Sequence, residues 1–166
     1  GFGKMGICLA PAAPKGINAI SISVLRLFFK NLLVWKFWKK VHAPRFAPAY
    51  FGALGHLPQT EAKKIFDRIS SHESGRVGAE IGFPSFDPRR ASEVDETKIK
   101  CPVLVIGSYR DKVTPVRIAR NVAKKLLPVS DYKEFPTFGH WLMTGKEFLS
   151  VSEYCLLWIK DKLVKN

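Results

Sequence analysis

The spacing of apolar positions along this 166-residue chain changes several times, and each change marks an element. Residues 5–10 (Met5-Gly6-Ile7-Cys8-Leu9-Ala10) and 103–107 (Val103-Leu104-Val105-Ile106-Gly107) are short apolar runs beside prolines. Runs of that length, rich in branched side chains, are the pattern of parallel strands buried on both faces. Residues 131–135 (Asp131-Tyr132-Lys133-Glu134-Phe135) predict a third strand. After Thr114-Pro115, the positions Val116, Ala119, Val122, Ala123 and Leu126 follow a helical period. There Thr114 is expected to cap the helix, with Pro115 in its first turn. Val151, Tyr154, Cys155 and Trp158 recur at i, i+3, i+4 and i+7 within residues 148–163. They predict a C-terminal helix whose apolar face packs on the sheet.

Between the first two strands the pattern is helical and aromatic. Residues 17–41 carry Phe28, Phe29, Trp35, Phe37 and Trp38 among Arg26, Lys30, Lys36, Lys39 and Lys40. One long helix would place Val24, Leu27, Phe28, Val34, Trp35 and Trp38 on one face and Arg26, Lys30, Lys36 and Lys40 on the other. The cations interrupt it at depths where charge is costly, which excludes a transmembrane span. Pro44 and Pro48 break the helix. A short element follows to about residue 55, and Pro58-Gln59-Thr60-Glu61 opens a second helix over 61–70. Glu73-Ser74-Gly75-Arg76 is a polar turn before an apolar segment at 77–83, and is read as a helix start with a Glu–Arg surface pair. Residues 83–100, with Pro84 and Pro88, read as the return to the sheet.

Two residues at predicted strand ends carry the candidate chemistry. Asp111 follows the run 103–107, and His140 sits in Phe138-Gly139-His140-Trp141 after the third strand. The order strand, acid, helix, strand, histidine fits an acid that orients an imidazole from a rigid platform. In that role Asp111 accepts from Nδ1–H of His140, which serves as general base and then acid. The structural alternatives are a turn aspartate near a helix start and a loop histidine held by a carbonyl. Ser108, three residues before Asp111, lacks the flanking glycines of a nucleophile turn. His42, His56 and His72 have no acid at useful spacing and read as structural.

Cys101-Pro102-Val103-Leu104-Val105-Ile106-Gly107-Ser108-Tyr109-Arg110-Asp111-Lys112-Val113-Thr114-Pro115 resembles the seventh strand and acid-bearing turn of the α/β-hydrolases. Gly139-His140-Trp141 resembles their histidine loop, and Ile7-Cys8-Leu9-Ala10-Pro11-Ala12 their sixth strand, which leads into a helical lid. The resemblance implies an α/β fold: a partial α/β-hydrolase with about three parallel strands, flanking helices and a helical lid insertion. It divides the chain into core at 1–16, lid at 17–90 and core at 91–166. It implies a serine hydrolase of ester, amide or similar acyl substrates, with Asp111 and His140 catalytic and Trp38 and Trp141 at the substrate. The family's Gly-x-Ser-x-Gly elbow is not found. Nucleophile and oxyanion hole are therefore expected upstream of Gly1, and the chain alone is expected to be inactive. The sixth strand would normally pair with a fifth. Its edge is expected to recruit the missing N-terminal half or a second copy as a homodimer.

Composition and charge adjust this picture. Hydrophobic content of 46% and charged content of 25% are those of a globular chain with a sizeable core. Cys8, Cys101 and Cys155 are odd in number and lack metal spacing, so free thiols are expected and no metal or cofactor is implied. No signal peptide is seen, which points to the cytoplasm. Net charge is +13, of which residues 1–60 contribute +8 with no acid at all. That field and the aromatic stretch suit an anionic membrane surface, and a non-catalytic basic or membrane-surface module is the alternative function. The stretch at 17–41 therefore reads either as a lid over an apolar pocket or as an interfacial helix. No nucleic-acid fingerprint is present, so specific nucleic-acid binding is not expected.

Overall fold

The computed structural model describes residues 3–164. Its elements in chain order are β1 (Gly6–Leu9), α1 (Ile22–Leu32), β2 (Val41–His42), α2 (Phe46–Ala49), α3 (Gln59–Ile69), β3 (Glu73–Ser74), α4 (Gly75–Gly82), β4 (Val103–Ser108), α5 (Val116–Lys125), β5 (Ser130–Phe135) and α6 (Gly145–Val164). Single 3₁₀ turns and a wide turn at Tyr50–Leu54 fill the connections.

Three strands form a parallel sheet in the order β1-β4-β5. β4 is central and buried along its whole length, which is why its sequence is a continuous apolar run. Successive side chains point to opposite faces. Val103 and Val105 pack with Ile118, Ala119, Val122 and Ala123 of α5. Leu104 and Ile106 pack with Val151 and Trp158 of α6 and with Leu142. The sheet is thus covered by one helix on each face. α6 is also tied to β5, because Trp158 Nε1 donates to Asp131 Oδ2 at 2.7 Å and Lys162 lies 2.7 Å from the same oxygen. β1 is an edge strand whose Ile7 and Leu9 remain partly exposed.

The segment joining β1 to β4 forms its own small core of Leu54, Leu57 and Ala62, with Phe46, Tyr50, Phe66 and Trp141 against it. Here the structure corrects the single helix over 17–41. Ser21 caps α1, its Oγ accepting from Val24 N–H at 3.2 Å, and the helix ends at Leu32. Lys36 then adopts a left-handed backbone conformation (φ 54°) and turns the chain back. The competing force is tertiary. The Phe37 carbonyl and ring seat against α4, with the Phe37 and Phe83 rings 6.5 Å apart, and a continued helix would carry Phe37 away. The surface pair at the 73–76 turn is also different. Arg76 pairs with Glu80 at 2.7 Å, one helical turn on, while Glu73 lies opposite His42 in the β2–β3 ladder.

Among the described residues no helix is long and apolar enough to cross a membrane.

Candidate functional site

The ends of β4 and β5 bring an acid and an imidazole together. β4 ends at Ser108, and the turn beyond it is closed by Asp111 N–H donating to the Ser108 carbonyl at 3.2 Å. Asp111 Oδ1 accepts from the amides of Val113 and Thr114, both at 2.8 Å. This is the local side-chain bonding that draws aspartate into turns. Asp111 Oδ2 lies 2.8 Å from Nδ1 of His140 and also accepts from the Thr114 hydroxyl at 2.8 Å. The Asp111 side chain is 0% exposed and that of His140 is 27% exposed. A carboxylate so enclosed persists only with its oxygens satisfied, and this one has two contacts on each.

The histidine loop is held from both sides. Arg110 N–H donates to the Phe138 carbonyl at 3.0 Å, fastening it to the acid turn. Trp141 N–H donates to the Ala53 carbonyl at 3.2 Å, fastening it to the segment between β1 and β4. Gly139 abuts the imidazole of His56: a Cβ placed there would lie 2.6 Å from His56 Nδ1. Only glycine permits that approach. The two ring nitrogens of His56 are buried without a hydrogen-bond partner among the described residues.

Thr114 departs from expectation. Pro115, not Thr114, occupies the cap position of α5, and no side chain caps that end. The Thr114 hydroxyl instead lies 2.8 Å from Asp111 Oδ2, 3.1 Å from the Ala10 carbonyl and 3.3 Å from His140 Nδ1. One hydroxyl therefore joins the end of β1 to the acid and the imidazole. Ala10 itself is held at φ 44°, a conformation costly for a residue with a Cβ. Neither role is legible from spacing, because both depend on β1 lying beside β4.

With Nδ1 facing a carboxylate, the imidazole is fixed in the tautomer that protonates Nδ1 and leaves a lone pair on Nε2. No hydrogen bond engages Nε2 among the described residues. His140 lies in the wall of a cavity of about 560 Å³ with Val24, Phe28, Ile81, Phe83 and Val113. The arrangement provides a proton acceptor with a defined orientation beside an apolar space. Ser108 is fully buried, its Oγ has no hydrogen-bond partner among the described residues, and it does not line the cavity. Burial pushes the thiols of Cys8 and Cys155 above their ordinary value, which disfavours a thiolate nucleophile.

The two tryptophans are placed elsewhere. Trp141 packs on the Leu54–Ala62 core and donates from Nε1 to Thr144 Oγ1 at 3.2 Å. Trp38 lines a separate surface groove with Lys39, Arg76 and Phe83. Neither lines the cavity beside His140. His42 does line it, its Nε2 3.0 Å from the Phe37 carbonyl. No cluster of three metal-ligating side chains occurs among the described residues.

The structure is similar to solved α/β-hydrolases. The monoacylglycerol lipase of Paleococcus ferrophilus superposes with a TM-score of 0.57 at 19% identity, over 93% of this chain and 58% of that one. Polyneuridine aldehyde esterase superposes with a TM-score of 0.57 at 12% identity, over 94% and 62%. The serine hydrolase CCSP0084 of Cycloclasticus zankles superposes with a TM-score of 0.51 at 16% identity, over 98% and 57%. The chain thus has a partial α/β-hydrolase fold and spans less than two thirds of each of these structures. No family model matches the sequence, and no curated protein does.

Proposed function

We propose that this chain is the acid–base part of a serine hydrolase that acts on an ester, amide or related acyl substrate. The reading rests on one observation: the 2.8 Å contact between Asp111 Oδ2 and His140 Nδ1, beside an apolar cavity. Asp111 holds the imidazole in its Nδ1–H tautomer and stabilises the imidazolium that forms. His140 Nε2 takes the proton of a serine hydroxyl as that oxygen attacks the acyl carbon, and then delivers it to the leaving group. The serine and the oxyanion-hole amides come from a segment that adds to the sheet at the free edge of β1. The helical segment between β1 and β4 acts as a lid, and its Val24, Phe28 and Phe83 give the site an apolar or ring-bearing acyl substrate. The names of the similar structures, a lipase, an esterase and a serine hydrolase, agree with acyl transfer to water.

A fluorophosphonate probe tests this. The chain by itself is expected to remain unlabelled. The same chain joined to the sheet-completing segment is expected to label, and to stop labelling when His140→Ala removes the base. Labelling of the chain alone would overturn the proposal.

A further inference from the structure

α1 is apolar on two sides. Val24, Leu27, Phe28 and Asn31 face inward, towards the cavity and the residues around Gly52. Ile22, Arg26, Phe29 and Leu33 form an opposite stripe at i, i+4, i+7 and i+11. On that stripe Ile22 is 88% exposed, Phe29 58% and Leu33 69%. The stripe continues into the turn, where Trp35 is 80% exposed and held at a left-handed Lys36. A helix needs one apolar stripe to pack on its own protein; a second, this open, indicates a partner.

The charge around the stripe identifies the partner's sign. Lys30, Lys36, Lys39 and Lys40 make no ion pair among the described residues, and Arg26 lies over the Phe51 ring at 4.2 Å. Residues 1–60 hold no acid at all, and two acids beyond them are already engaged: Glu80 pairs with Arg76, and Asp87 accepts from the amides of Arg89 and Ala91. Exposed isoleucine, phenylalanine, leucine and tryptophan ringed by unpaired cations suit an apolar layer beneath a negative surface. A protein partner would bring acidic side chains on a shaped surface; a bilayer needs only this mixture.

We infer that the outer stripe of α1 and the Trp35 turn dock on an anionic phospholipid bilayer. The aromatic and aliphatic side chains enter the headgroup region and the lysines meet the lipid charges. Docking stands apart from the acyl chemistry proposed above, so either reading survives failure of the other.

Flotation of the intact chain with phosphatidylcholine vesicles, with and without phosphatidylserine, tests the inference. Binding is expected at low salt with the phosphatidylserine vesicles, to be weak with phosphatidylcholine alone, and to fall as salt rises. Lys30→Glu with Lys36→Glu is expected to weaken it at least about tenfold. Phe29→Ser with Trp35→Ser is expected to weaken it by a similar factor of about ten. Lys64→Glu with Lys124→Glu changes net charge equally but lies elsewhere on the surface, and its effect is expected to stay within about threefold. All positions are exposed, and circular dichroism checks that each variant folds. Absence of binding at low salt would overturn the inference, as would equal binding to neutral vesicles. Equal losses from both charge reversals, or no loss from the serine pair, would do the same. So would a stable dimer, seen by light scattering, that shields Trp35 from a soluble quencher.

Discussion

The carboxylate of Asp111 faces two ways: Oδ1 accepts from the amides of Val113 and Thr114, and Oδ2 meets His140 Nδ1 at 2.8 Å. The two readings open from sequence, a turn aspartate and a partner for histidine, are thus combined in one side chain. Its removal has a structural and a chemical consequence, and these separate by substitution. Asp111→Ala strands the amides of Val113 and Thr114 and is expected to lower stability by about 2–4 kcal/mol in denaturant unfolding. Asp111→Asn keeps an acceptor for the turn and is expected to cost about 1–2 kcal/mol. In an assembled hydrolase it is nevertheless expected to lower kcat by a factor on the order of 10⁴, through loss of the Nδ1–H tautomer. An asparagine variant with unaltered turnover would detach Asp111 from the chemistry.

Gly139 and His56 are coupled by contact. Gly139→Ala places a methyl group 2.6 Å from His56 Nδ1, against the base of a ring that cannot bend away. The expected loss is about 1–3 kcal/mol. In a His56→Ala background the same change is expected to cost less than about 1 kcal/mol, because the obstruction is gone. A double-mutant cycle by urea unfolding measures the difference, and additive losses would contradict the geometry.

Gly75 anchors the segment between β1 and β4. Its N–H donates to the Lys40 carbonyl at 3.0 Å, and a Cβ there would meet the Phe37 carbonyl oxygen. Gly75→Ala is expected to cost about 3 kcal/mol and to loosen the turn after α1. Limited proteolysis should then cut within 33–41 while the sheet stays intact; an unchanged cleavage pattern would speak against this anchor.

Tyr132, Glu134 and Arg120 form a titrating cluster on β5 and α5. Arg120 lies 2.8 Å and 2.9 Å from the two carboxylate oxygens of Glu134, and Tyr132 donates to Glu134 at 2.6 Å. Arg120 and then the Tyr132 hydroxyl hold the Glu134 carboxyl below its ordinary 4.5. Its contribution is present above that value in the folded chain and is lost as pH falls through the lowered one. Burial, then the neighbouring Glu134, raises Tyr132 above its ordinary 10.0. Its contribution is complete below pH 10.0 and declines as pH rises beyond it. Unfolding followed against pH should show both limbs. Glu134→Gln is expected to flatten the acid limb and Tyr132→Phe the alkaline one; unchanged slopes would place the titrations elsewhere.

The sheet and the pair at its end were legible because each is written locally. β4 announces itself by four consecutive branched residues, and Asp111 and His140 by their positions just beyond strand ends. The sequence pattern carries α1 on to residue 41 because no proline or glycine marks its end; the contact of Phe37 with α4 stops it, and that contact lies beyond any local window. The place of Thr114 before Pro115 suggests a cap, whereas its hydroxyl answers to Ala10, 104 positions away. The second apolar stripe of α1 was masked in the long-helix projection, which grouped Trp35 and Trp38 with the inner face.

The strand registers also predict an order of assembly. Val103 pairs with Ser130, only 27 positions later, whereas Gly6 must find Val103 across 97 positions. Closing the longer loop costs about 1 kcal/mol more entropy. The unit of β4, α5 and β5 is therefore expected to form early, bringing Asp111 and His140 within reach, with β1 joining late. Pulse-labelled hydrogen exchange should protect amides in 103–108 and 130–135 before those in 6–9. Simultaneous protection would mean one nucleus for the whole sheet. A refolding chain would thus bring Asp111 beside His140 before the wall that carries Val24 and Phe28 closes over them.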